Sequence, residues 1–542
     1  MSAQPRPKPA EFHVFDTTLR DGSQQEGINL SVADKLAIAA MLDELGVGFI
    51  EGGWPGANPT DTAFFAAMSD GALTLKNAQL VSFGFTRRVG MMAADDPLTA
   101  ALRDARAPVA CIVAKSHDRH VEQALHTTLS ENLAMITDTL RHLRSEGQRV
   151  FVDCEHFFDG YRENPGYALE VVRTAAEAGA EVVVLCDTNG GMLPPWIGEV
   201  VTAVNETGVP LGIHAHNDAG CAVANTLAAV DAGVMHVQGT VNGYGERTGN
   251  AELLSIVANL ELKYGWPLLP AGSLREATRL AHAIAEVTNV PPSARQPYVG
   301  LSSFAHKAGL HASAIKVDPN LYQHTDPALV GNDMRMLVSH MAGRANVQIK
   351  GEELGFDLSD RELAARITDR VKDAEAAGYT YEAADASFEL LLRRELGQLP
   401  EFFKVHSWRV FTQSTHGQET DTECTVRLTA KGQSQRVVGE GNGPVNALDH
   451  AIRKALLSAY PTVEKFELMD YKVRILDQGH GTDATVRVLI ETTDGLSAWT
   501  TVGVGQNIIE ASWEALCEAY LYGLLHIDDA SELSAAELAM AR

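Results

Sequence analysis

Long apolar runs are missing. No stretch of the chain approaches the roughly 20 consecutive apolar residues that a membrane-spanning helix requires. The first twelve residues, MSAQPRPKPAEF, are Pro-rich without an apolar segment, so a short disordered tail over residues 1–12 is expected rather than a signal peptide. Cysteine is scarce as well. The six (Cys111, Cys154, Cys186, Cys221, Cys424, Cys517) lie far apart with no Cys-x-x-Cys pair. Four of them stand in apolar surroundings, the pattern of buried thiols in a reducing compartment, so a cytoplasmic location is expected. Positive charge is also short, with 44 Lys and Arg against 70 Asp and Glu and a formal net charge of −26. That balance argues against nucleic acid or a membrane surface as a partner. An anionic small substrate would need a local basic site working against the global field.

What is present is a chain of 542 residues with 45% hydrophobic and 21% charged residues, enough for two or three soluble domains. Strand and helix patterns alternate from residue 13 to about 262. Eight apolar strand candidates recur, at His13–Asp16, Gly48–Gly52, Leu80–Gly84, Ala110–Ala114, Val150–Cys154, Val182–Asp187, Leu211–Ala215 and Met235–Val241. After the first, Ser31 to Asp34 reads as a capping box. Ile38, Met41, Leu42 and Leu45 then mark one helical face, and Gly46 stops the helix. Eight such units predict an α/β (β/α)8 TIM barrel over residues 13–275. A doubly wound sheet is the alternative, but it does not require this count. Turn-rich breaks and Ala/Glu/Arg-rich stretches predict helical linker subdomains over 276–398. Over 399–542 strands return in a pattern that repeats: Thr425-Val426-Arg427 recurs as Thr485-Val486-Arg487, and Gly441 with its following helix as Gly505 with its own. A C-terminal α+β domain of duplicated βββα units is expected.

In such a barrel the chemistry gathers at the C-terminal strand ends. Polar residues concentrate there: Asp16, Arg20, Asp21 and Gln24 after the first strand, Glu51 after the second, Lys115 after the fourth, and Asp153 and Glu155 on the fifth. Asp187 and Thr188 follow on the sixth, His214 and His216 on the seventh, and Asn242 on the eighth. In IHAHND, alternate residues share a face, so His214 and His216 can present two imidazoles to one point. Asp21 is the best-placed anionic third ligand, and Asn250 could add an oxygen. Two imidazoles and a carboxylate suit Mn2+, Mg2+ or Zn2+ acting as a Lewis acid on a carbonyl. Glu155 is a candidate for proton transfer or for orienting a substrate, with a salt-bridged rim carboxylate as the plain alternative. Thr188 can hydrogen-bond a substrate carboxylate. Asp153 should face the same pocket, where an acid is unexpected beside an anion; it could bind Lys115 or restrict the pocket's size.

The signature Asp-x-Thr-x-Arg-Asp-Gly-x-Gln at Asp16–Gln24, the IHAHND pair and the loop NGYGERTGN (Asn242–Asn250) together resemble the DRE-TIM metallolyase superfamily. They are most similar to its Claisen-condensing branch, which holds 2-isopropylmalate, homocitrate and citramalate synthases. The resemblance runs on through FAHKAGLHASAI and into a C-terminal domain of the leucine-binding type. EGGWPGANPTD, DCEHFFDGY and GNGPVNALDHAIRKAL most resemble the long citramalate-synthase-type group. The resemblance implies condensation of acetyl-CoA with a 2-oxo acid, pyruvate in that group, to give citramalate and CoA at the entry to isoleucine synthesis. It implies Asp21, His214 and His216 as metal ligands with Asn250 near or ligating. Arg20 would stabilise the oxygen that becomes negative, and Thr188 would hold the carboxylate, with Gln24, Lys115 and Asp153 around the substrate. His311 matches the linker histidine associated with proton transfer or thioester hydrolysis, and Tyr322 is a candidate to assist it. Ser313 stands where several relatives carry an acid, which shifts weight as base to Glu155. A homodimer and a branched-chain amino-acid effector at the C-terminal domain are further implications. Two rival readings are a 2-isopropylmalate synthase using 2-oxoisovalerate and a carbon–carbon lyase like 3-hydroxy-3-methylglutaryl-CoA lyase. The lyases carry a cysteine in the loop after strand eight, and Asn242–Asn250 has none.

Overall fold

Eight parallel strands close into a ring in chain order: β1 (His13–Asp16), β2 (Phe49–Glu51), β3 (Gln79–Phe85), β4 (Val109–Lys115), β5 (Arg149–Glu155), β6 (Val182–Asp187), β7 (Leu211–Ala215) and β8 (His236–Gly239). β8 returns to β1, with His13 opposite His236 and Asp16 opposite Gly239, so no strand of the ring has a free edge. This computed structural model describes residues 8–339, 343–414, 420–476 and 484–540. The expected TIM barrel is therefore present. β8 is shorter than its apolar run, because Thr240 already bridges to Glu252 and the chain turns through Val241–Gly243. Asn242 consequently stands in that turn, with φ 61°, and not at a strand end.

Strands covered on both faces need apolar residues on both, and β6 (VVVLCD) is buried throughout. Alternation sorts the residues. Val14 packs outward under the helices, while Phe15 belongs to a separate inner cluster with Phe49, Val81, Cys111, Phe151, Val184 and Cys186. Helix α1 (Val32–Leu45) starts at the expected box: Ser31 Oγ accepts from Asp34 N–H at 3.2 Å and the Asp34 carboxylate accepts from Ser31 N–H at 2.8 Å. Ile38, Leu42 and Leu45 are buried and Met41 packs at their margin. All six cysteines are free, with Cys111, Cys154, Cys186 and Cys424 buried. The expected tail is shorter than residues 1–12: Phe12 packs edge to face on Trp266, ring centroids 5.4 Å apart, and Lys8 Nζ donates to Pro267 O at 2.7 Å. Residues 1–7 of it lie outside the described residues. Among the described residues no helix is long and apolar enough to cross a membrane.

The chain divides into two compact units, Met1–Phe304 with His324–Met334, and Ala305–Gln323 with Arg335–Arg542. The second unit holds the short paired strands β9 (Ala305–His306) and β10 (Arg335–Met336) and the helices Arg361–Ala376 and Asp385–Glu395. Two three-stranded antiparallel sheets follow: β11 (Phe403–Gln413), β12 (Asp421–Ala430) and β13 (Gln433–Gly441), then β14 (Glu467–Ile475), β15 (Val486–Thr493) and β16 (Ala498–Gly505). Each is followed by a helix, Pro444–Leu457 and Ile508–Met540. The duplication reaches fine detail. β11 and β14 each carry an irregularity at the matching place, between Val405 and Ser407 and between Leu468 and Asp470. A Cβ on Gly439 would fall 2.4 Å from Ala451 N, and one on Gly503, 64 positions on, would fall 2.0 Å from Ala511 O. In both copies only glycine lets the third strand lie so close under its helix.

The turn after β1 is pinned by Asp16, whose carboxylate accepts from Thr18 N–H at 2.9 Å and from the Thr18 hydroxyl at 2.8 Å. The Thr18 hydroxyl in turn accepts from Val241 N–H at 2.9 Å, tying the first loop to the last. Burial pushes the Asp16 carboxyl up to about 7, against the Thr18 hydrogen bonds that favour its charge. An acid raised on folding costs nothing below about pH 4, where both folded and unfolded chains hold the proton, and its cost grows as pH rises through 7. Asp16→Asn should therefore flatten the fall of melting temperature across that interval, measured by circular dichroism at a series of pH values. Parallel slopes for the two proteins would refute this source.

Candidate active site

At the C-terminal ends of the strands the inward face changes character two residues beyond the inner cluster. After Phe15 comes Thr17, after Phe49 Glu51, after Phe151 Asp153, and after His236 Gln238. Above them lies a cavity of about 330 Å³, lined among others by Arg20, Asp21, Gln24, Trp54, Phe83, Asp153, Glu155, Thr188, His214 and His216. Eight of the expected site residues thus come together. Lys115 and Asn250 are outside this lining but touch it, Lys115 through its ion pair with Glu155 and Asn250 through its backbone bridge to His216. His311 and Tyr322 belong to the second unit, where their rings lie 4.1 Å apart.

Asp21, His214 and His216 converge most tightly. Asp21 Oδ2 lies 3.4 Å from His214 Nε2 and 3.7 Å from His216 Nε2, and the two Nε2 atoms are 3.5 Å apart. Each imidazole gives its other nitrogen away: His214 Nδ1–H donates to Gln238 Oε1 at 2.7 Å and His216 Nδ1–H to Thr188 O at 2.8 Å. Both Nε2 lone pairs therefore point at the carboxylate, an arrangement that needs a positive charge among them. Burial works against the Asp21 carboxylate, but the adjacent Arg20 guanidinium leads the groups that favour its charge, and the carboxyl is held well below the usual carboxylate range. Metal–ligand bonds of about 2.0–2.2 Å set neighbouring ligand atoms about 3.0–3.5 Å apart, close to these separations. Asn250 fits as well. Its Nδ2 donates to Tyr244 O at 2.9 Å, while its Oδ1 is buried with no hydrogen-bond partner among the described residues. Backbone pairing of the last loop with the end of β7 holds it beside His216.

Arg20 is fixed on three sides. Its Nε donates to Glu51 Oε2 at 2.7 Å, its Nη1 to Asp21 Oδ2 at 3.1 Å, and its guanidinium stacks 3.9 Å over the Phe83 ring. Thr17 Oγ1 also donates to Glu51 Oε2, at 2.6 Å. Thr188 Oγ1 accepts from His156 N–H at 2.8 Å, which leaves the hydroxyl proton to be donated. One of the two alternatives for Asp153 is ruled out. Lys115 pairs with Glu155 and not with Asp153, because β4 and β5 set Lys115 directly opposite Glu155 and Asp153 opposite Val113. Asp153 instead accepts from Gln238 Nε2 at 3.0 Å, and burial pushes its carboxyl up while His214 and Arg20 oppose the shift. The partners that sequence reasoning missed are Thr17, Glu51 as the holder of Arg20, Phe83, Gln238 and Trp54, whose buried Nε1 has no partner among the described residues. Strand parity alone marks Glu51, Phe83 and Gln238 as inward-facing.

Three family models match in succession: HMGL-like over residues 11–282, homocitrate synthase post-HMGL domain-like over 298–378, and the LeuA allosteric (dimerisation) domain over 382–524. An (R)-citramalate synthase of Streptomyces coelicolor is 66% identical over 517 residues, which are 95% of this chain and 97% of that protein. The (R)-citramalate synthases of Aquifex aeolicus and Synechocystis are 47% and 48% identical, each across 95% of this chain and 98% and 97% of their own lengths. Agreement of that depth from the barrel through the last sheet means that the chain belongs to the (R)-citramalate synthase family.

Proposed function

We propose that the protein condenses acetyl-CoA with pyruvate to (R)-citramalate and free CoA. The observation that carries this reading is the convergence of Asp21, His214 and His216 beside a guanidinium that is already locked in place. A divalent ion held by these three, with Asn250 Oδ1 beside them, would supply Lewis-acid polarisation of the keto carbonyl. Mn2+, Mg2+ and Zn2+ all accept this donor set.

The chain's own groups supply the rest. Removal of a methyl proton from the thioester makes the carbon nucleophile. The new carbon–carbon bond forms at the keto carbon, whose oxygen takes the charge, and hydrolysis of the thioester releases the CoA thiol. Arg20 Nε and Nη1 are committed to Glu51 and Asp21, while its Nη2 has no partner among the described residues and is the donor for the oxygen that turns negative. The Thr188 hydroxyl donates to the substrate carboxylate, with Gln24 on the same wall. Glu155, steadied by Lys115, takes the methyl proton, and His311 with Tyr322 serves the hydrolytic step. The match to a LeuA allosteric (dimerisation) domain supports a homodimer with a branched-chain amino-acid effector at residues 399–542. The free, buried thiols support a cytoplasmic setting.

Incubation with acetyl-CoA, Mn2+ and each of pyruvate, 2-oxoisovalerate and 2-oxoglutarate, followed by thiol release, tests the reading. Release should depend on pyruvate. A larger response to 2-oxoisovalerate would make the protein a 2-isopropylmalate synthase, and no release with any acid would refute the condensation. Asp21→Ala should lose both metal and activity. Arg20→Ala should keep the metal and lose about 100- to 1,000-fold in kcat, the size typical of one donor to a developing oxyanion. Full metal occupancy in Asp21→Ala, by atomic absorption, would sink the ligand assignment.

A further inference from the structure

Asp153 is an acid in a cavity meant for anions, and substrate binding does not explain it. It sits at the bottom of the cavity wall, 3% exposed, and Gln238 beside it is fully buried. The two form a directed chain: Asp153 Oδ1 accepts from Gln238 Nε2 at 3.0 Å, and Gln238 Oε1 accepts from His214 Nδ1–H at 2.7 Å. A primary amide has one donating end and one accepting end. An acceptor that holds the NH2 end therefore forces the carbonyl end toward His214. That carbonyl can only receive an N–H, so the His214 proton resides on Nδ1 and the lone pair on Nε2, 3.4 Å from Asp21 Oδ2.

The other imidazole shows why such a relay is needed. His216 Nδ1–H donates to the main-chain carbonyl of Thr188 at 2.8 Å, an acceptor that cannot turn over. His214 has no main-chain carbonyl in that place and depends on a side-chain amide. An amide turned by half a rotation would present NH2 to Nδ1, move the imidazole proton to Nε2 and take the lone pair out of the ligand cluster. We propose that Asp153 is a positioning residue which, acting through Gln238, fixes the His214 tautomer that can bind a metal. This assignment rests on the reading of Asp21, His214 and His216 as the metal centre. It explains an acid on the wall without giving it any contact to the substrate, in line with the rule that a ligating histidine is oriented by the partner of its second nitrogen.

The test is calorimetric titration of the metal-stripped, full-length protein with Mn2+. Asp153→Leu should weaken Mn2+ binding about 10- to 100-fold, the usual cost of losing such a partner, with the KM for the 2-oxo acid at saturating Mn2+ unchanged. Asp153→Asn has the same shape but lets Gln238 lie either way round, so it too should weaken Mn2+ binding. Adding Gln238→Glu to Asp153→Asn should restore it, because a carboxylate at 238 accepts from His214 whatever stands at 153. This isosteric pair decides the matter if the leucine variant does not fold. Unchanged Mn2+ affinity with a raised KM would make Asp153 a substrate contact and overturn the proposal, as would failure of Gln238→Glu to restore binding. Asp21→Ala separates the two levels. Mn2+ binding indifferent to Asp21→Ala refutes the metal centre itself, whereas an Asp21-dependent site that ignores both Asp153 variants refutes the relay alone.

Discussion

Inside a ring of eight strands each strand offers the interior one side chain in every two, and this spacing governs all that lies above. Phe15, Phe49, Cys111 and Phe151 fill the ring with apolar bulk. The next inward position on the same strands is the first that can carry a polar group without opening the core, and there stand Thr17, Glu51 and Asp153. Because the layer below is apolar and buried, these groups find their hydrogen-bond partners sideways, among one another. That is why the polar tier is a network and not a set of independent residues.

The network also reconciles a strongly acidic protein with an anionic substrate. Arg20 is matched by Glu51 and Asp21, so its charge alone does not make the cavity attractive to a carboxylate. What the carboxylates provide is direction. They hold the guanidinium flat on Phe83 and leave it one uncommitted nitrogen, and they gather two imidazole lone pairs around Asp21. A divalent ion in that group would tip the local balance to positive, which the composition as a whole cannot do.

Much of this was legible in the residues, and the reasons differ from element to element. The ring was legible because each strand is apolar on both faces and recurs at the spacing of a βα unit. His214 and His216 were legible because alternation puts them on one face, and Asp21 because β1 and β7 are separated only by β8. Partners on other strands were not. Whether Lys115 meets Asp153 or Glu155 depends on the register of β4 against β5, which no local pattern encodes. Glu51 and Gln238 each look like an ordinary polar strand end until the side chains they meet on other strands are known. Phe12 read as tail because its partner, Trp266, lies some 250 residues away in the chain. The end of β8 was misplaced since an apolar valine, Val241, continues the run into a turn.

The close approach of the last loop to itself divides the cavity's rim into a stiff arc and an adaptable one. A Cβ on Gly249 would lie 1.9 Å from Gly243 O, at a φ of 85°, so this loop cannot take up side chains without pulling Asn250 away from His216. Around β7, β8 and β1, then, the polar side chains are fixed in place by hydrogen bonds to one another and to the backbone. Across the ring, Trp54, Phe85 and Val113 line the same cavity with surfaces that bind through shape. A lineage could trade bulk there, residue by residue, and so change the size of the acid it accepts while its chemistry stays untouched. The architecture separates what may drift from what must be inherited whole.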